Sequence, residues 1–332
     1  MDNVNLKQLA KELNLAVSTV SRALRDSHEI SPETKERVKA LAAKLGFQPN
    51  PHASSLRQSK SKTIAVVIPE IENNFFSQVM NGVEVIAQQK GYHVLIYLTH
   101  EDNNREKDIL NVLRNGRVDG LLISVSNKTM EFDHLLAYQD AGIPVVSFDR
   151  VLDNIDTPKV TTDDTEAAFK ATEHLIAKGA KRITFISMGL NLSISSRRKA
   201  GYEKAMHKHH LHASTLECGT DDNENRAMIR SLLQSKDRPD AIFAAVEKFA
   251  LITYEVCHSL HLDIPGHVKV IGFSNLSAAA LFNPPMSTVV QPAFEIGKEA
   301  TAILFRIIEK KTLLSAEKVI TIPSVIVERK ST

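Results

Sequence analysis

The chain has 332 residues, 43% hydrophobic and 24% charged. That length exceeds one compact core, and the composition excludes wholesale disorder. No apolar run approaches the roughly 20 residues of a membrane span. The N-terminal MDNVNLKQLAKEL lacks an apolar signal core, and Cys218 and Cys257 form neither a metal-ligand spacing nor a disulfide framework, so a reducing cytoplasm is expected. The net charge of +2 is uneven: residues 1–62 hold 11 Lys/Arg against 6 Asp/Glu, the remainder 30 against 33. A basic head on a mildly acidic body points to an anionic partner for the head, although a solvated lysine-rich surface would carry the same excess.

Residues 5–46 predict three short helices. Leu6, Leu9, Ala10 and Leu13 share one helical face, and Asn14 suits a left-handed turn. A second helix over about 17–25 offers Val20, Ala23 and Leu24 to a core, with a helix start at Ser18. The third opens at Ser31 and Pro32, presents Val38, Leu41, Ala42 and Leu45, and stops at Gly46. The Pro-, Ser- and Lys-rich stretch 49–62 is a linker in which a helix over 52–58 would be marginal in isolation.

From Thr63 the pattern becomes alternating. Apolar runs 63–68, 92–98, 120–124 and 144–148 predict strands, with helices near 76–90, 104–115 and 131–141 between them. A second set follows: strands at 182–187, 241–246 and 268–273, helices at 164–178, 196–209, 224–235 and 248–260. Asp163-Asp164 is expected at a helix start. Two strand–helix sets predict two doubly wound α/β lobes with a cleft between them.

Val17, Ser18, Thr19, Ser21 and Arg22 make a short-polar and cationic helix face of the kind that enters a DNA major groove, and Arg22 has the fork geometry for a guanine edge. A plain three-helix bundle with hydroxyl caps does not account for that face. The run Val17 to Arg22, the Ser31-to-Val38 helix start, Leu45-Gly46-Phe47 with Pro49-Asn50, Asn73 to Phe76, Ser196 to Tyr202, Val270 to Phe273, Pro284-Pro285 and Gln291-Pro292 together resemble the lactose-repressor/galactose-repressor (LacI/GalR) family. The resemblance covers nearly the whole chain, and its head motif is specific.

The resemblance implies an all-α helix-turn-helix head at 1–48, a hinge helix or linker at 49–61, and a periplasmic-binding-protein-like body of doubly wound parallel sheets at 62–332. The body's N-lobe would take 62–161 and 292–322, and its C-lobe 162–291 and 323–332, with crossings near 161, 291 and 322. It further implies a cytoplasmic regulator of repressor type, without a cofactor. As a homodimer it would bind pseudo-palindromic operator DNA through Val17, Ser18, Thr19, Ser21, Arg22, Asn50, Ala53 and Leu56. Leu56 matches the leucine that wedges into the minor groove.

The effector, a sugar or sugar derivative, is expected among Asn74, Phe75, Phe76, Asp149, Arg150, Ser196, Arg198, Glu247, Ser274, Asn275 and Gln291, at strand ends and a chain crossing. Arg198 matches the family's ligand-binding arginine, and as a cleft residue it is expected to give directed hydrogen bonds rather than packing. Departures are evident. Ser274-Asn275 stands where relatives carry Asp, Val246-Glu247 where Asn-Asp or Ser-Asp is frequent, and Thr220 or Asp221 where an aromatic often stacks. With no Trp, stacking on indole is excluded.

His207, His209, His210 and His212 sit at i,i+3 spacings but read as a solvated helix end. A two-lobed binding protein without a DNA role would need a signal peptide and no basic head. An α/β enzyme would need a nucleophile, an acid/base pair or a cofactor motif, and the strand ends carry none.

Overall fold

The computed structural model describes residues 5–24, 26–47, 61–115, 117–126, 132–189, 192–311, 313–314 and 318–332. Helix α1 (Leu6–Leu13) opens with a reciprocal cap, in which the Gln8 amide donates to Asn5 Oδ1 and the Asn5 amide to Gln8 Oε1. It closes at Asn14, left-handed with φ 53°. In α2 (Val17–Leu24) the amides of Thr19 and Val20 donate to the Ala16 carbonyl, so Ser18 lies inside the first turn rather than capping it. Helix α3 (Pro32–Lys44) is capped by Ser31, whose hydroxyl accepts from the Thr34 amide. Leu9, Val20, Ala23 and Val38, all fully buried, close a small core that these three helices share. The chain divides into two compact units, residues 1–60 and 61–332.

The second unit begins at a firmly held point. Asp119 accepts the Ser61 amide (2.6 Å), the Ser61 hydroxyl (2.9 Å) and the Lys62 amide (3.1 Å). Strands β1 (Thr63–Ile68), β2 (His93–Leu98), β3 (Gly120–Ile123), β4 (Val145–Phe148) and β5 (Lys159–Thr162) then alternate with α4 (Asn74–Gln89), α5 (Asn103–Leu113) and α6 (Asp133–Asp140). The second set comprises β6 (Ile183–Met188), β7 (Ser214–Cys218), β8 (Ala241–Ala244), β9 (Lys269–Phe273) and β10 (Ser287–Val290), with α7 (Asp164–Ala177), α8 (Ser193–Lys208), α9 (Asp222–Gln234) and α10 (Glu247–Ser259). Helix α11 (Ala293–Ile308) and strands β11 (Val319–Ile322) and β12 (Val325–Val327) follow.

One six-stranded sheet runs β11-β5-β4-β3-β1-β2, parallel throughout; the other runs β12-β10-β9-β8-β6-β7, with β12 alone antiparallel to its neighbour. Neither sheet is contiguous in sequence. The chain passes from the first sheet to the second between β5 and β6, back between β10 and β11, and over again between β11 and β12. The strand order reverses between β1 and β3 in one sheet and between β6 and β8 in the other, the switch points where open α/β sheets bind ligands.

The alternating strands and helices match the sequence expectation up to Phe273, but β5, β7, β10, α11, β11 and β12 were not foreseen. Most of these strands are short and mix Ser, Thr, Lys or Glu with a few apolar residues, which blurs the pattern. Helix α11 completes the first lobe, contributing Ile296, Ala300, Leu304 and Phe305 to its core. Helix packing is close in both lobes. A Cβ on Gly201 of α8 would stand 2.1 Å from the Thr165 carbonyl of α7, and one on Gly297 of α11 would stand 2.1 Å from the Val79 carbonyl of α4. Strand β2 lies at a sheet edge, with Leu95 and Ile96 exposed. Among the described residues, no helix is long and apolar enough to cross a membrane.

Candidate functional site

The head presents its polar helix face as expected. On α2, Val20 and Ala23 turn inward, while Val17, Ser18 and Arg22 are exposed and Thr19 and Ser21 half-buried. Arg22 is paired: its Nη1 lies 2.8 Å from Glu29 Oε2, with both side chains about half exposed, at 53% and 52%. Asn50, Ala53 and Leu56 fall outside the described residues.

The second candidate region lies where the carboxyl ends of both sheets converge. The connections after β1 and β4 and those after β6, β8 and β9 enclose a cavity of about 30 Å³. Phe75, Phe76, Asp149, Arg150, Arg198, Glu247, Ser274, Asn275 and Gln291 all line it, as does Asn73. Asn74 and Ser196 do not. Asn74 reaches across to Glu247 through Nδ2 at 2.9 Å, and the Ser196 hydroxyl donates to the Leu192 carbonyl of its own helix.

Arg198 is the centre of the buried chemistry. Its side chain is 2% exposed and Asp164's 1%, with Nε donating to Asp164 Oδ1 at 2.6 Å. Nη1 donates to the Ala245 carbonyl, and the guanidinium lies 3.8 Å from the Phe273 ring centroid. The close crossing at Gly201 brings α8 against α7 and so Arg198 against Asp164. Asp164 therefore serves as more than the helix start expected of it. The expectation that Arg198 gives hydrogen bonds without a packing role needs correction: removing it would strand a buried carboxylate. Arg198 Nη2, Asp164 Oδ2 and Arg150 Nε have no hydrogen-bond partner among the described residues; of the three residues, Arg198 and Arg150 line the cavity, which leaves donors there for a guest.

Asp149 is buried 4.0 Å from Arg150 Nε, and Arg150 pairs with Glu101 at 2.5 Å. Burial pushes the Asp149 carboxyl up to about 6, against the opposing pull of Arg198 and Arg150. Several contacts join the two lobes across the cleft. Besides Asn74–Glu247, Gln78 and Asn275 exchange hydrogen bonds, the Val151 amide donates to Ser193 Oγ, and Arg197 pairs with Asp153 at 2.8 Å. Glu247 also accepts from Ser274 Oγ at 2.6 Å.

A cavity of about 30 Å³ has room for a water molecule or two, not for a metabolite. The adjoining chamber, about 690 Å³, is in the range of small-molecule sites. It shares Asn73, Arg150 and Val246 with the inner cavity, and adds Glu70, His100, Glu101, Asn103, Asn104 and Lys248 among others. Sequence reasoning missed His100, Glu101, Asn103 and Asn104 because they follow an edge strand, β2, whose carboxyl end joins the site only once β2 lies beside β1. His100, Glu101 and Asp149 all take positive φ, between 52° and 59°. Such conformations cost non-glycine residues energy and concentrate at ligand sites, and composition does not reveal them. Among the described residues, no group of His, Cys, Asp and Glu is placed to hold a metal ion, and His209 is engaged by Glu173.

Comparison with known proteins bears on both regions. Residues 5–50 match the family described as bacterial regulatory proteins, lacI family, and residues 61–328 match the periplasmic binding proteins and sugar binding domain of the LacI family. The chain belongs to the LacI family. Catabolite control protein A of Priestia megaterium is 29% identical over 334 residues, 99% of each chain. The transcriptional repressor CytR of Escherichia coli is 30% identical over 302 residues, 90% of this chain and 88% of CytR. The lac repressor dimer bound to operator and the anti-inducer ONPF, 21% identical, superposes with a TM-score of 0.87 over 99% of both chains and shares the fold. As a LacI-family member, the protein is a DNA-binding transcriptional regulator of repressor type whose body is that family's sugar-binding domain.

Proposed function

We propose that this regulator binds a pseudo-palindromic operator as a homodimer in the cytoplasm, and that a sugar or sugar derivative in the interlobe chamber changes its operator affinity. In this reading residues 1–48 read DNA, 49–61 link, and 62–332 bind effector and dimerise; the protein acts as a switch rather than a catalyst. The observation that carries the effector half is the chamber of about 690 Å³, lined by Arg150, whose buried Nε lacks a hydrogen-bond partner among the described residues. Arg150 and Asn73 would take hydroxyls at its inner end, with Asn103, Glu101 and Lys248 lining the outer end, while Arg198, Asp149, Asn275 and Gln291 line the smaller cavity behind Arg150. The DNA half rests on the exposed Ser18 and Arg22 of α2 and on the basic excess of the head. Leu56 would supply the minor-groove wedge. The lac repressor of similar fold is a dimer on its operator, and the exposed Leu95 and Ile96 on the unpaired edge of β2 offer apolar surface for such pairing.

Thermal melting of the full-length protein against a panel of sugars and sugar derivatives tests the proposal. A ligand at a hundredfold its Kd stabilises by about 2.7 kcal/mol. The same ligand should shift operator affinity in a titration. A ligand that stabilises the protein and leaves operator affinity unchanged would overturn the switch, and no stabilisation by any sugar would overturn the effector class.

A further inference from the structure

We infer that Glu29 sets the base selectivity of Arg22: it is a positioning residue that holds the guanidinium fork toward a base edge and disfavours its capture by phosphates. The inference rests on the reading of α2 as the groove helix.

The pair joins two elements rather than two turns of one helix. Arg22 sits on α2, and Glu29 in the connection to α3, seven positions on. Exposed pairs of this kind contribute little to stability, so the contact is poorly explained as a staple of the fold. What distinguishes it is the hydrogen-bonded turn that carries the carboxylate. The Ser27 amide donates to the Arg22 carbonyl at 3.1 Å, the Ile30 amide to the Ser27 carbonyl at 3.2 Å, and the Glu29 amide to Ser27 Oγ at 3.4 Å. Ile30 packs against the head core. The other acid of the connection, Asp26, is engaged elsewhere: Lys35 lies 3.2 Å and Lys39 3.7 Å from its Oδ1, and the Lys35 hydrogen bond holds its carboxyl below the usual range. Glu29 is thus the acid of this connection that faces Arg22.

The contact at 2.8 Å involves Nη1, one nitrogen of a planar fork with five N–H donors. Guanine offers two acceptors, O6 and N7, to the remaining edge of such a fork. An arginine fixed at one corner loses less rotamer freedom when it docks on a base. A carboxylate beside it also repels phosphate oxygens, so the arrangement weakens sequence-independent binding while favouring a base contact.

The test uses full-length wild type, Arg22→Ala, Glu29→Ala and Glu29→Gln. The probes are a duplex that the wild type selects from a random-sequence pool, its single-base-pair substitutions, and a scrambled duplex. Arg22→Ala locates the base pair under Arg22 control. At that base pair Glu29→Ala should reduce the preference for the selected base about three- to tenfold, while preferences elsewhere are retained. Affinity for the scrambled duplex should rise roughly two- to threefold, with a steeper salt dependence. Glu29→Gln keeps an acceptor oxygen without the charge, so it should raise scrambled affinity similarly and lose less base preference. A uniform gain in affinity for every duplex, with base preference intact in both Glu29 variants, would reduce Glu29 to bulk charge and overturn the inference alone. If Arg22→Ala flattens no position, the reading of α2 falls, and the inference falls with it.

Discussion

Two arginine–carboxylate pairs in this chain have nearly the same bond length and opposite consequences. Arg22–Glu29 spans 2.8 Å with both side chains about half in water; Arg198–Asp164 spans 2.6 Å with 2% and 1% exposed. In water, screening and side-chain entropy cancel most of the attraction, so the first pair adds little to the fold, while the rest of the Arg22 fork stays open to a partner. In the body, separating the charges leaves one buried without a counterion, so the second pair is a fixed part of the lobe. Burial, not bond length, separates a reader from a strut.

The comparison makes ranked predictions. Arg198→Ala should destabilise the body by about 3–5 kcal/mol, measured by denaturant unfolding, because Asp164 is stranded. Arg198→Met combined with Asp164→Leu should recover much of that loss. A single mutant as stable as wild type would break the contrast.

Next in size is Asp149. Its folded-state pKa of about 6 lies above the unfolded value near 3.8. The stability it contributes is therefore present below about pH 4 and is lost as pH rises through about 6. Asp149→Asn removes this dependence. The stability difference favouring Asn should grow between about pH 4 and 6, reach an order of 2–3 kcal/mol, and stay flat above. A pH-independent difference would show that the carboxyl titrates normally.

Arg22→Ala should cost about 1–3 kcal/mol in binding to the selected operator and relax preference at one position. Equal losses on selected and scrambled duplexes would make Arg22 a phosphate contact. The smallest effect belongs to the same residue in the free protein: Arg22→Ala should change thermal stability of the head by less than about 1 kcal/mol. A larger loss would mean that the exposed pair is structural after all.

The head was legible because its signals are local. Asn14, Ser31, Pro32 and Gly46 each mark a helix end through the residue's own backbone chemistry, and the polar face of α2 follows from spacing alone. The apolar runs of β1, β3 and β9 were legible because strands buried on both faces need uninterrupted hydrophobics. The cleft was partly legible, since a strand's carboxyl end points to a site without saying what the facing lobe brings. Asp164 looked like a helix start because its partner lies 34 positions away and is met only through the helix crossing at Gly201. Similarly, nothing in the segment 100–104 marks it as a chamber wall until β2 is placed beside β1.

The threading of the body also constrains how it is made. The first lobe's core takes Ile296, Leu304 and Phe305 from α11, and β11 adds a strand to its sheet, yet both are encoded after the whole run from β6 to β10. On the ribosome, a nascent chain of 61–162 would hold β1 to β5 without the helix that covers them. Apolar faces on α4, β3 and β4 then stay open while the second lobe emerges, which is the interval in which chains of this size are prone to misassembly. The second lobe waits less: β6 to β10 and their helices are complete by residue 290, with β12 arriving later as an edge strand. Vectorial synthesis therefore favours closing the later-encoded lobe first and the earlier-encoded one last.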